Sequence, residues 1–381
     1  MYDALPNASP LPWSALALPI AAAEDSLARL DERLAKSPIR DGWIARTHFI
    51  DASASLWLQG ELVHIEDLVL HDAGMDVRTP THELNRAHTV LRTRRRMLAG
   101  APGWALSPLG LQDLCGRSAG DNATEMPRAT QQGRGAANAD ADDANADASE
   151  DRAIAGHDDP RLAQALAAVD AAMAQTDRHL ANAAAQYAIE RDPLIYDLDW
   201  DEAARLSEWQ RITAATQSLP PTLAAAIVLA AFDDIAPLQH LPWMGRLLAA
   251  ALLRARGKTR VHLACLNLGL RAIPREQRRA RSGPDRLVAI LDAMTAGADA
   301  GLKDHDRWLN ARAVLARKLD GRRSTSKLPT LIDYVLSRPM VSAGMIAAAL
   351  GVTPRAALDL VAQLGLRETT GRGRYRAWGV L

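Results

Sequence analysis

Val341-Ser-Ala-Gly-Met-Ile-Ala-Ala-Ala-Leu-Gly-Val-Thr-Pro-Arg-Ala-Ala-Leu-Asp-Leu-Val-Ala-Gln-Leu-Gly-Leu366 reads as two short helices joined by a tight turn. Ser342 is placed to cap a helix that runs to Leu350. Gly351 can take a positive φ at the turn, and Val352 can plug the gap between the helices. Thr353 then caps a second helix with Pro354 at its first position, where a missing N–H costs nothing. Such a turn holds two helices at a steep angle and leaves the second free to enter a DNA major groove.

The flanks extend the pattern. Leu328, Leu331, Ile332, Val335 and Leu336 recur at helical spacing and give a supporting helix upstream. Downstream, Leu366 to Thr369 reads as a short strand, Gly371-Arg-Gly-Arg374 as a tight basic tip, and Tyr375 to Val380 as the returning strand. Together these predict a winged helix-turn-helix over residues 321–381, its wing a short β-hairpin. That segment holds nine Lys and Arg against three Asp and Glu, whereas the whole chain balances 45 against 45. Local positive charge beside a recognition helix is the footprint of phosphate contact. The expected DNA-facing residues are Thr353, Arg355, Ala356, Asp359 and Gln363 on the helix, with Arg372, Arg374 and Arg376 on the wing. Arg355 suits guanine, Gln363 suits adenine or phosphate, and the wing arginines suit phosphate or the minor groove. Helix-turn-helix folds also serve as dimerisation or packing modules, so a protein-binding role stays open.

At 381 residues, 48% hydrophobic and 24% charged, the chain has the composition of a globular protein with two or three domains. Ala and Leu dominate, which predicts a mainly α fold. Cys115 and Cys265 lie far apart without metal-type spacing, as expected of reduced thiols in a cytoplasmic protein. The first residues lack a basic segment followed by an apolar one, so no signal peptide is expected. The apolar stretches Leu219–Phe232 and Leu247–Leu253 are too short or interrupted to span a bilayer, and no membrane partner is expected. No nucleophile elbow, P-loop or zinc spacing occurs, and neither cofactor nor metal is expected.

Four segments follow. Residues 1–117 read as an N-terminal helical region, with helices at Glu24–Leu34, His48–Gln59, from Ile65, and at Thr81–Ala99. Residues 118–159 carry ten acidic residues against three basic and almost no large apolar side chain, which predicts a disordered acidic linker. Residues 160–320 form a second helical block, with helices expected near Pro160–Ile189, Asp199–Thr216, Pro221–Asp234, Met244–Ala255, Val261–Leu270 and Asp285–Leu319. Residues 321–381 are the winged module. Two basic clusters, Arg92–Arg96 at a helix end and Arg275–Arg281 in a Pro-flanked loop, suit either a solvated face or a secondary nucleic-acid contact. The neighbouring pairs Glu66-Asp67 and Asp233-Asp234 point apart on a helix and do not suggest a metal site.

Leu223 to Leu248 resembles the heart of a Fic fold. Fic enzymes transfer a nucleotide, usually AMP, to a hydroxyl. Their signature follows a helix ending in Phe-x-x-Ile and reads His-Pro-Phe-x-(Asp/Glu)-Gly-Asn-Gly-Arg-x-x-Arg. Here Phe232-Asp-Asp-Ile235 is followed by Ala236-Pro-Leu238, and the next helix restarts at Gly245-Arg246. The resemblance implies that Ala236 stands where the family's general base would be, and the loop Gln239–Met244 lacks the metal-binding carboxylate and the glycine-rich phosphate cradle. His240 could head a shifted register, or simply pack in the loop. Ala52-Ser-Ala-Ser-Leu-Trp-Leu-Gln-Gly60 is similar to the Fic inhibitory Ser-x-x-x-Glu-Gly segment, with Ser55, Gln59 and Gly60 at its positions. The acidic residue is again missing. Fic-like catalysis and its inhibition are thus expected to be lost together, with no catalytic residue left.

Lys327-Leu-Pro-Thr-Leu-Ile-Asp333, Arg338-Pro-Met-Val-Ser-Ala-Gly-Met-Ile-Ala347 and Leu364–Trp378 also resemble a bacterial family, often plasmid-borne, with a domain of unknown function before a helix-turn-helix. The expected protein is a cytoplasmic regulator that binds double-stranded DNA as a homo-oligomer, its Fic-like body serving dimerisation or sensing. The alternatives are a nucleotidyl transferase with an atypical site and a protein-interaction adaptor.

Overall fold

Alanine- and leucine-rich segments bury best as helices packed side by side, and that is how this chain folds. A computed structural model describes residues 11–76, 79–115, 200–280, 283–319, 326–369 and 376–380. The expected linker at 118–159, the helix at Pro160–Ile189 and the wing tip at 371–374 lie outside the described residues. Residues Met1–Ser118 and Asp201–Leu381 belong to one compact unit.

The first stretch carries α1 (Trp13–Ala35), α2 (Arg40–Leu58), α3 (Ile65–Asp72), α4 (His82–Ala99) and α5 (Pro108–Leu114), with a 3-10 turn at Trp104–Leu106. Beyond residue 200 come α6 (Glu202–Ala215), α7 (Pro221–Ile235), α8 (Met244–Ala255), α9 (Leu266–Ala272), α10 (Arg275–Arg278) and the long α11 (Gly283–Ala316), which tightens into a 3-10 turn at Arg317–Leu319. The module after it contains α12 (Leu328–Leu336), β1 (Val341–Ser342), α13 (Ala343–Leu350), α14 (Pro354–Leu364), β2 (Arg367–Glu368) and β3 (Ala377–Gly379). The architecture is mainly α, with a three-stranded antiparallel sheet of order β1-β3-β2.

Helix α11 is the spine. At 34 residues it is about 50 Å long. α1 and α9 pack along it, and α7 and α12 also touch it. α9 approaches at Gly269, where a β-carbon would lie 1.9 Å from the carbonyl oxygen of Ala293. Only glycine permits that approach. Trp43 of α2 is buried against the same helix and donates its indole N–H to the carbonyl of Gly301 at 3.1 Å.

Helices α1 and α2 begin earlier than their apolar periodicity predicts; Pro19 sits inside α1. The larger departure is at residues 261–265, expected as helix but irregular. Side chains satisfy this backbone instead. Asp31 accepts from the Val261 N–H at 3.1 Å and from His262 Nδ1 at 3.2 Å, and Arg94 donates to the Leu263 carbonyl at 3.3 Å. Buried polar groups met in this way need no helix to satisfy them.

Arg94 also corrects the solvated reading of the Arg92–Arg96 cluster. It is fully buried and donates to Asp51 Oδ2 at 2.5 Å. Asp51 accepts further from Asn267 Nδ2 at 2.7 Å and from the Leu268 N–H at 2.9 Å. Arg95 forks onto Asp72 at 2.6 and 3.0 Å, and Arg96 pairs with Asp113. Of the cluster's charges, that of Arg94 is used inside the body, while those of Arg95 and Arg96 meet carboxylates nearer the surface.

Replacing Asp51 with Ala leaves the Arg94 guanidinium buried and uncompensated. A loss of about 3 to 5 kcal/mol of stability is expected, read from the denaturant midpoint.

Acid should unfold the chain in two stages. Burial holds His48 well below its ordinary value of 6.5, with Arg94 and Arg95 adding to the effect. The unfolded chain takes up that proton and the folded chain does not, so stability falls as pH drops below 6.5. At Asp31 burial alone would raise the carboxyl, but bonds from His262, the Val261 N–H and Arg260 hold it at about 2. At Asp72 burial is likewise outweighed by His88 and Arg95, again leaving about 2. Their contributions are complete above the ordinary value of 3.8 and vanish as pH falls toward 2. Denaturant midpoints measured between pH 8 and 3 should show both stages, and His48→Gln should flatten only the upper one.

Candidate nucleic-acid interface

The turn between α13 and α14 is built by local chemistry. The Ser342 hydroxyl accepts from the Met345 N–H at 3.2 Å and caps α13. Gly351 ends that helix in the left-handed region, with φ 63°. Val352 packs against the core, and the Thr353 hydroxyl accepts from the Ala356 N–H at 3.2 Å to start α14 with Pro354 in its first turn. The chain bends by 103° between the two helices. Beneath them the five apolar residues of α12 are all buried.

Helix α14 has a clean division of faces. Ala357, Val361 and Leu364 are buried, while Thr353, Arg355, Asp359 and Gln363 are exposed and Ala356 is half-buried. Neither Arg355 nor Asp359 has an ion-pair partner among the described residues. The same outer face carries Leu358, 41% exposed, and the adjoining β2 carries an exposed Arg367. Sequence reasoning missed both. Spacing three residues from Arg355 was the available signal for Leu358.

The wing residues divide. Arg372 and Arg374 lie outside the described residues. Arg376 pairs with Glu368 across the wing at 2.8 Å and lies over the Trp378 ring, its charge already partnered. The wing is anchored by a strand that the sequence did not announce. β1 pairs with β3 at Val341↔Trp378 and Ser342↔Ala377, so β3 lies between β1 and β2. Ser342 therefore ends a strand and caps a helix at once.

The module rests directly on the body. Arg46 of α2 donates to the Val380 carbonyl at 2.6 Å and stacks over Trp308 of α11 at 4.6 Å. Burial lowers its guanidinium to about 10, still charged at neutral pH. Lys318, at the end of the spine, donates to the carbonyl of Leu364 at the last residue of α14, where a cation complements the helix dipole. The outer face of α14 stays open beside these contacts.

Within the body, the segments at 55 and 246 meet. Arg246 donates to Ser55 Oγ at 3.2 Å and to Asn267 Oδ1 at 2.5 Å. Ala236 terminates α7 with φ 47°, the one non-glycine residue with positive φ among those described. Trp243 is buried, and His240 is exposed on the loop. Asp233 and Asp234, neighbours in sequence, converge on the guanidinium of Arg286 at 3.0 and 2.5 Å. Among the described residues there is no group of three or more His, Cys, Asp or Glu able to hold a metal ion, and no single helix long and apolar enough to cross a membrane.

Two family models match parts of the chain. Residues 194–320 match a family described as a protein of unknown function (DUF1612), and residues 328–381 match one described as an HTH DNA binding domain. The chain therefore carries a C-terminal helix-turn-helix DNA-binding domain. It is 48% identical over 372 residues to the uncharacterized protein y4cF of Sinorhizobium fredii, covering 97% of each chain. The chain belongs to the family of y4cF, and in it a region matching DUF1612 is followed by a helix-turn-helix domain.

Proposed function

We propose that the chain is a sequence-specific DNA-binding regulator of transcription. The observation that carries this reading is the outer face of α14, exposed and set at a steep angle to α13. Arg355 stands at the helix N-terminus, the end that reaches base edges in this motif. It is assigned to guanine, Gln363 to adenine or phosphate, and Thr353, Ala356 and Asp359 to the same groove. Leu358 adds an apolar contact suited to a thymine methyl group. Arg372 and Arg374 are assigned to phosphate. Arg376 is assigned a supporting role, because leaving Glu368 would forfeit an existing ion pair.

The divisions at 117, 159 and 320 belong to the same reading, with the chain acting in the cytoplasm as a homo-oligomer; a dimer would place its half-sites about one helical turn apart. The body is read as a degenerate Fic-like fold. The bond between Ser55 and Arg246 supports this, since it joins the two segments that resemble that family. Ala236 at the place of the base argues against nucleotide transfer.

Duplex affinity is expected to fall steeply with salt, and Arg372→Ala with Arg374→Ala should shallow that slope by about two counterions. Fluorescence anisotropy on a selected duplex between 50 and 200 mM salt, about the range where such contacts dissociate, reads this directly. Absence of retention on both heparin and duplex DNA would sink the reading.

Arg355→Ala should cost about 1 to 3 kcal/mol on the selected site and relax the preference at a single base pair. Repeating the selection from a random pool with the variant reads out that relaxation. An unchanged preferred sequence would remove Arg355 from base recognition.

A further inference from the structure

The body opens a cleft of about 1080 Å³ between the end of α2, α7, α10 and the start of α11. Leu229 and Ile290 supply apolar wall, while five arginines reach the same space: Arg246, Arg275, Arg278, Arg279 and Arg286. Three carboxylates also line it, and each is already engaged. Glu61 pairs with Arg86, and Asp233 and Asp234 both grip Arg286. The other four arginines have no carboxylate partner among the described residues.

Each of the four is held differently. Arg278 donates to the carbonyls of Leu270 and Arg271 at 3.1 Å and lies over the Trp57 ring at 4.8 Å. Arg271 covers that ring too, at 5.2 Å. Arg246, half-buried, donates to the neutral acceptors Asn267 and Ser55, and burial lowers its pKa while Asp233 and Asp51 act on it only at a distance. Arg275 and Arg279 are exposed and unpartnered among the described residues.

Gathering like charges around one concavity is unfavourable unless a counter-charge enters it. Guanidinium groups favour carboxylate or phosphate, which they grip with paired donors. The volume exceeds that of a lone inorganic anion and matches a small organic molecule. A DNA duplex would meet the exposed Arg275 and Arg279 but not the half-buried Arg246, whose side-chain hydrogen bonds go to neutral acceptors. We propose that this cleft binds a small organic polyanion, a molecule carrying at least two carboxylate or phosphate groups on a partly apolar frame. The site stands on the body alone and does not depend on the DNA reading.

The test is titration calorimetry on the full chain at low salt, with citrate, pyrophosphate and ATP as probes and acetate as a single-charge control. Citrate or ATP is expected to bind with one-to-one stoichiometry while acetate does not, and binding of pyrophosphate alone would mark an inorganic-anion site and overturn the proposal. Citrate against pyrophosphate separates carboxylate from phosphate recognition. The double variant Arg275→Ala, Arg279→Ala should weaken the bound probe about tenfold or more while leaving the unfolding midpoint unchanged. Arg246→Lys, which keeps the charge but loses the fork, should weaken it as well. No binding by any of the three probes, or equal affinity in the double variant, overturns the proposal. So does loss of duplex affinity in the double variant without polyanion binding to the parent, which would assign these arginines to nucleic acid. Failure of the parent to bind DNA bears on the regulator reading alone.

Discussion

The buried contact between Asp51 and Arg94 is the constraint on which the rest of the body depends. One carboxylate receives a guanidinium from α4, an amide from Asn267 and a backbone N–H at the start of α9. One guanidinium in turn holds the carbonyl of Leu263 in the irregular segment before α9. Segments separated by some 170 to 217 positions in the chain are fixed by two side chains. A buried pair of this kind gains little over an apolar replacement in stability. Its directional bonds nevertheless fix where 261–268 must run, and with it how α9 approaches the spine at Gly269.

That arrangement also positions the C-terminal module. α2 carries Asp51 inward to the core and, on earlier turns, offers Arg46 to the Val380 carbonyl and Gly42 to the backbone of Leu336. The same helix therefore organises the body and seats the DNA-binding domain. Arg46 is dear to bury, yet the Trp308 face and a carbonyl oxygen receive it. The contact is polar at Arg46 and close-packed where Gly42 meets the backbone of Leu336.

Legibility in the sequence followed the range of the interactions. The turn at Gly351, the caps at Ser342 and Thr353 and the buried row on α12 were readable because each is settled within a few residues. Leu358 and β1 were not. Leu358 is apolar yet 41% exposed, because Ala357, Val361 and Leu364 take the packed face of α14. β1 is two residues long and exists because β3 returns beside it, pairing Val341 with Trp378 and Ser342 with Ala377. The cleft was hidden for the same reason. Arg246 and the Arg275–Arg279 run are separated in sequence, and Arg86 and Arg286, which neutralise its carboxylates, lie on other elements. The basic run read as a loop face because nothing nearby in sequence declares what it faces.

The long spine has a mechanical corollary. Its first turn presents Arg286 to the cleft, and the turn just beyond its far end presents Lys318 to the last carbonyl of the recognition helix. A continuous hydrogen-bonded rod about 50 Å long behaves as a lever, so a tilt of three degrees about one end sweeps the other through roughly 2.6 Å. That stroke is comparable to the length of a hydrogen bond, and it is delivered at the residue that clasps α14.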